Sequence, residues 1–387
     1  MIQYDVFHTV AKKPRRRSLL GSVLEVSSKS YRSIPSDNLR MTSQRNWRLY
    51  IRSLFYLSSI RITAALQTPV AFHKCSKSLN VQFKRRSSQL SAISSKTPSD
   101  RKVSVLICPA QFCVPADYES LITNLQKQHA DIIGTCRVAP LPRTEWIKVA
   151  KQLPTKEYLD ATLPCHRTLD WYFRAMETAL GEIYAAEGDD TNICIIGHSI
   201  GGWVARAYLG GLSDTSSTSI YKLTQQQCTS FITLGAPHLS PRTALVDQTR
   251  GLLKEVENTV SCSPQSLVDR GIDVTCVGSS AVKGSIFSSN VENIIALTSY
   301  VPLLGIERGL KALGDGIIPT DLAFMEEPAR RIELSACKST GHAVRHAHVF
   351  PTPWNLVDGS APSLSLPDTF LWYGAPTVMS QWSSYVR

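Results

Sequence analysis

The chain has 387 residues, 43% hydrophobic and 19% charged, a globular composition that excludes collagen-like, coiled-coil and wholly disordered chains. Its formal charge of +11 is unevenly spread: residues 1–102 hold 20 Lys and Arg against 4 Asp and Glu, and residues 103–387 hold 22 against 27. The folded part is therefore mildly acidic, which argues against a nucleic-acid partner, and no run of eighteen apolar residues marks a spanning helix.

Residues 1–101 are basic, rich in Ser and nearly free of acids, running through KKPRRR, KRRSS and SAISSKTPSD. This is the composition of a targeting segment rather than of a fold. From Met41, Arg48 and Arg52 precede a short apolar patch at 53–60, and TAALQTPVAF follows. The order resembles a secretory signal joined to a plastid transit peptide. Residues 1–101 are expected to be a disordered targeting region, with a mature start between about 72 and 101. The expected location is a plastid, with the endoplasmic reticulum or secretory route as the alternative.

From residue 102 onward, buried-strand patterns alternate with helical ones. The run VSVLIC at 103–108 is compact, apolar and closed by Pro109. At 117–128, Tyr118, Leu121, Ile122 and Leu125 fall on one helical face, with Asp117 at the N-cap position. A second strand is expected at 131–139 and an amphipathic helix at 169–186, with strands again at 192–197 (NICIIG), 229–234, 272–277 and 330–334. This alternation predicts βαβ units in a mostly parallel sheet, with the site at the carboxyl ends of the strands. The long connections over about 239–313 are expected to supply cap or lid elements. The ten cysteines form no CxxC pair, and those at 194 and 276 sit in apolar runs, so they are expected to be reduced and buried.

The chemistry gathers at the strand ends. Gly197-His198-Ser199-Ile200-Gly201 follows NICII and precedes WVARAYL, which is G-x-S-x-G between a strand and a helix. Small residues at 197 and 201 let the chain turn sharply and raise the Ser199 hydroxyl above the sheet, while Ile200 N–H at the helix start can face an oxyanion. His198 is expected to pack the elbow. A serine needs a base and an orienting acid. Asp315, in GDGIIP, is the candidate acid, with Asp321 its nearest competitor. The base must come from CKSTGHAVRHAHVFP, which holds His342, His346 and His348. His238, in LGAPHLSP, is expected to line the pocket. Gln111 N–H, in the turn after the first strand, is the candidate second oxyanion donor. No carboxylate or cysteine stands at ligand spacing beside the three histidines, so no metal is expected, and the chemistry needs no cofactor.

These residues resemble a family. VLICPAQFCVPADY, LPRTEWIKVAK, LDWYFRAMETAL, GHSIGGWVAR, ITLGAPHLSP, GDGIIP and LWYGAPTVMSQW are similar to segments of the plant, algal and cyanobacterial lipase-like α/β-hydrolases, related to the GPI inositol-deacylase-like group. The resemblance spans about 103–385. It implies an α/β-hydrolase fold and hydrolysis of an acyl ester, with a lipid among the candidate substrates. It also favours His346 as base, because Val344-Arg345-His346 fits the family's Val-x-His step after an insertion; His348 and His342 are the alternatives. Peripheral membrane association is compatible with this reading, and no obligate protein partner is expected. Three rivals keep the same elbow: a non-catalytic binding protein, an acyltransferase and a GPI inositol-deacylase.

Overall fold

The computed structural model describes residues 102–350 and 359–387. The targeting segment and the cleavage site expected from the sequence lie outside them. Six parallel strands form the central sheet: β1 (Val103–Cys108), β2 (Ile133–Val138), β3 (Asn192–His198), β4 (Cys228–Leu234), β5 (Asp273–Ser279) and, beyond two short strands, β8 (Arg330–Leu334). Their order is β2-β1-β3-β4-β5-β8. The chain therefore runs outward from β1 to β2 and then crosses back to β3 on the other side of β1. The loops after β1 and β3 diverge at this reversal, which is where open α/β sheets form their binding crevice. The register puts Cys108 beside Gly197 and Gly197 beside Thr233, so the strand ends are level there.

The strands form because their side chains are buried on both faces, as continuous apolar runs require. From β1, Leu106 and Cys108 enter one core, while Val103, Val105 and Ile107 enter the other. The first core packs the helices α2 (Asp170–Glu187), α3 (Ile200–Leu209) and α4 (Ser219–Gln227). The second packs α1 (Glu119–Gln128) and the C-terminal segment bearing Trp372, Tyr373 and Trp382. Each fully buried side chain of this kind contributes about 1.5–3 kcal/mol. At the outer edge, β8 shows the exposed Arg330 and Arg331 to solvent, and charges on an edge strand oppose pairing with another chain. Among the described residues no helix is long and apolar enough to cross a membrane. The nine described cysteines are free and buried.

Two expectations change. Asp117 does not cap α1; a 3-10 turn, Pro115–Tyr118, precedes that helix, and the carboxylate accepts Val114 N–H at 2.9 Å and Ser363 N–H at 2.6 Å. Of the connections within 239–313, the one before β5 does not supply a cap either. The helices α5 (Leu252–Asn258) and α6 (Pro264–Asp269) bury Leu252, Leu253, Val256 and Leu267 in the main core as an ordinary crossover. The later excursion is the separate feature. It comprises α7 (Val291–Leu304) and the two-residue strands β6 (Val282–Lys283) and β7 (Leu313–Gly314), which gather around Val282, Ala296 and Tyr300.

Candidate active site

Ser199 sits at φ 54° and ψ −125°, between β3 and α3. A non-glycine residue in that region carries about 1–3 kcal/mol of backbone strain, held by its surroundings. Those surroundings are tight. A Cβ at Gly201 would lie 2.2 Å from Cys108 O, and one at Gly197 would lie 2.4 Å from Gly202 Cα. Only glycines let β1, β3 and α3 approach this closely, and the turn is fixed further by Ser199 N–H donating to Leu234 O at 2.9 Å. Ile200 N–H opens α3, where the helix leaves its first amides unpaired and positively polarised.

Asp315 is 2% exposed, yet its carboxylate accepts four hydrogen bonds. Ile317 N–H and Ile318 N–H reach Oδ1 at 3.0 and 2.7 Å, and Tyr373 O–H and His346 Nδ1–H both reach Oδ2 at 2.8 Å. A further bond, His346 N–H to Asp315 O at 3.0 Å, joins the two backbones. Because Nδ1 faces the carboxylate, Nε2 is the nitrogen of His346 left for other chemistry. A Cβ on Gly235, at the end of β4, would lie 2.6 Å from Asp315 Oδ2, so that glycine makes room for the acid. Ser279, at the end of β5, anchors both loops: its hydroxyl donates to Val344 O at 2.6 Å, and its carbonyl accepts Thr320 O–H at 2.8 Å.

The other histidines lie elsewhere. His342 is exposed in a turn closed by Cys337 N–H to His342 O at 2.8 Å. His348 stacks on Trp372 with ring centroids 4.2 Å apart. Neither supplies one of the four donors to Asp315. Asp321, the competing acid, is tied to Arg308 at 2.9 Å on the surface. His238 is completely buried and donor or acceptor to Thr233 Oγ1 at 3.0 Å, so it packs beneath the site instead of lining it. Burial excludes it from contact with a substrate.

The turn after β1 is stapled at several points. Tyr172 O–H donates to Pro109 O at 2.6 Å, Tyr118 Oη accepts Ala110 N–H at 2.7 Å, and Cys113 N–H donates to Ala110 O at 3.1 Å. Phe112 has φ 60°, a left-handed conformation that glycine would adopt at no steric cost. Among the described residues, Gln111 N–H and Ile200 N–H meet no protein acceptor. Tyr172, Tyr373 and the link between Arg345 and Glu292 are not apparent as site features in the sequence. That link joins the residue before His346 to the start of α7 through two contacts, one of them Nη2 to Oε2 at 3.1 Å. The only local signal for the tyrosines is the aromatic pairs Trp171-Tyr172 and Trp372-Tyr373.

Burial also makes two histidines a pH liability. Desolvation first, then the nearby His346 for His198 and the Arg206 guanidinium for His238, hold both well below the ordinary value of 6.5. Each folded value lies below its unfolded one, so this stability is complete above about pH 6.5 and is lost as pH falls below it. The limiting slope is about 1.4 kcal/mol per pH unit for each histidine. The urea midpoint is expected to fall steadily from pH 6.5 to 5, and His238→Gln to flatten that fall. An equal slope in the variant would show that His238 does not contribute to the fall.

The family model described as "Putative serine esterase (DUF676)" matches residues 173–308, which include the elbow but neither Asp315 nor His346. Among solved structures, an acetylxylan esterase aligns at 14% identity and TM-score 0.25 over 36% of this chain and 65% of its own. The chain thus spans just under two thirds of that enzyme. A metagenomic carboxyl esterase aligns at 10% identity and TM-score 0.34 over 76% of this chain and 79% of its own. No curated protein matches the sequence. The parallel sheet, its crossover order and the strand–elbow–helix unit are those of the α/β-hydrolase fold.

Proposed function

We propose that this chain is a serine hydrolase that cleaves carboxylic ester bonds through an acyl-enzyme, with Ser199 as nucleophile, His346 as base and Asp315 as orienting acid. The observation that carries the reading is the pairing of Asp315 with His346 at 2.8 Å, with the His346 carbonyl 2.9 Å from Nε2 of His198, the residue before the strained Ser199. In this mechanism His346 Nε2 takes the Ser199 Oγ proton as Oγ bonds to the carbonyl carbon. Asp315 holds the imidazole in the Nδ1–H tautomer and stabilises the imidazolium that forms. Gln111 N–H and Ile200 N–H stabilise the oxyanion, each donor being worth about 2.7–4 kcal/mol in the barrier. The ester C–O bond then breaks, and the alcohol leaves with the proton from His346. Water, deprotonated by the same nitrogen, releases the acid and restores Ser199. The intact acid–base pair favours this reading over a non-catalytic binding protein.

A lipid ester is the proposed substrate class, with peripheral membrane association and plastid targeting by residues 1–101 as parts of the same proposal. Support comes from large apolar side chains left exposed in the connections before and after β5: Phe287 is 98% exposed, and Leu245, Val246, Ile286, Ile306 and Leu310 are exposed as well. Contiguous exposed apolar surface commonly marks an interaction site. Hydrolysis of p-nitrophenyl butyrate in solution and p-nitrophenyl palmitate in mixed micelles tests the class. The expected result is a higher kcat/KM for the micellar long-chain ester. Turnover of the short ester alone would overturn the lipid assignment, and no turnover of either would overturn the esterase reading.

A further inference from the structure

His198 is next to Ser199, 2% exposed, and engaged through both ring nitrogens. Nε2 lies 2.9 Å from His346 O, a carbonyl that can only accept, so Nε2 carries a proton. Burial disfavours a second proton on the ring. Nδ1 is therefore a bare acceptor, and Tyr118 O–H, 2.9 Å away, donates to it. The Tyr118 oxygen in turn accepts Ala110 N–H at 2.7 Å. The direction of every bond is fixed: Ala110 N–H to Tyr118, Tyr118 O–H to His198, and His198 N–H to the carbonyl of His346.

This chain of bonds has two ends of interest. One is the peptide between Pro109 and Ala110, which Tyr118 holds by its N–H while Tyr172 holds its C=O. The next peptide, whose amide is Gln111 N–H, is held in turn by its own carbonyl, since Ala110 O accepts Cys113 N–H at 3.1 Å. The other end is the backbone of the residue assigned as base. We propose that His198 and Tyr118 are a positioning pair that sets the oxyanion turn and the loop of His346 against each other across the elbow. The inference rests on the esterase reading above. In it, neither side chain touches the ester; both act through Gln111 N–H and His346, the two groups that must approach the reacting carbonyl from different loops. A displacement of about 1 Å between such groups can cost about 10²-fold in rate.

The test is a double-mutant cycle in the full chain with p-nitrophenyl acetate, using Tyr118→Phe, His198→Phe and the pair, with His198→Gln as the conservative variant and Ser199→Ala as a separate control. Tyr118→Phe and His198→Phe should each lower kcat about 10–100-fold with KM changed less than about twofold. The double variant should be little slower than the worse single one, because both break the same chain of bonds. His198→Gln, whose amide can still donate to His346 O, should recover much of the loss. Tyr118→Phe removes one oxygen and keeps the ring in its packing, so it stands alone if His198→Phe does not fold. Values of kcat within about twofold of the unmodified protein in both single variants, fully additive losses, or a loss that disappears well below each unfolding midpoint would overturn the pair. If Ser199→Ala keeps its turnover, the esterase reading fails by itself. If Ser199→Ala is inactive while Tyr118→Phe is not impaired, only the positioning pair fails.

Discussion

Ser199→Ala is expected to lower p-nitrophenyl ester turnover by on the order of 10⁴–10⁶-fold while leaving the protein folded. The loss is that large because no other group in the site can form the acyl-enzyme, and the base and acid act only through the nucleophile. What remains would be catalysis by the oxyanion donors acting on water. The fold should persist because the elbow is held by backbone contacts: Ser199 N–H to Leu234 O, and the close approaches at Gly197 and Gly201. Unfolding by urea should therefore shift by no more than about 0.5–1 kcal/mol. Turnover near that of the unmodified protein would remove Ser199 from the chemistry.

Separate alanines at the three clustered histidines should divide sharply. His346→Ala should approach the loss at Ser199, because triad members are grossly non-additive. It should also cost about 1–3 kcal/mol of stability, since Asp315 would lose one of four donors in a buried position. His342→Ala should change neither rate nor stability much, as its side chain is exposed. His348→Ala removes a ring stacked on Trp372 and should cost stability more than rate. Full activity in His346→Ala together with loss in His342→Ala or His348→Ala would reassign the base, and activity in all three would end the triad.

The elbow was legible in the sequence because its cause is local. Gly197, Ser199 and Gly201 stand within five residues, between an apolar run and an amphipathic one, and steric constraint alone makes that turn. The Gly-Asp-Gly at 314–316 was legible for a similar reason. The base was harder. Three histidines within seven residues have equal chemistry, and Asp315 meets His346 only because Val344 is buried and its carbonyl is pinned by Ser279, 65 residues earlier. The supporting contacts are remoter than any periodicity can report. Tyr118 to His198 spans 80 residues, Tyr373 to Asp315 spans 58, and Arg345 to Glu292 spans 53. The connection over 239–271 misleads for a related reason. In 239–271 a loop and two short helices replace the long amphipathic crossover, so the sequence there reads as an insertion although α5 and α6 pack in the main core.

Activation of Ser199 by His346 and Asp315 is read out by covalent labelling. The full chain is treated with a fluorophosphonate probe, digested, and the modified residue is located by mass spectrometry, alongside His346→Ala and Ser199→Ala. A single adduct on Ser199 is expected, formed far more slowly in His346→Ala and absent in Ser199→Ala. An adduct on another residue, or none in the unmodified protein, would contradict it.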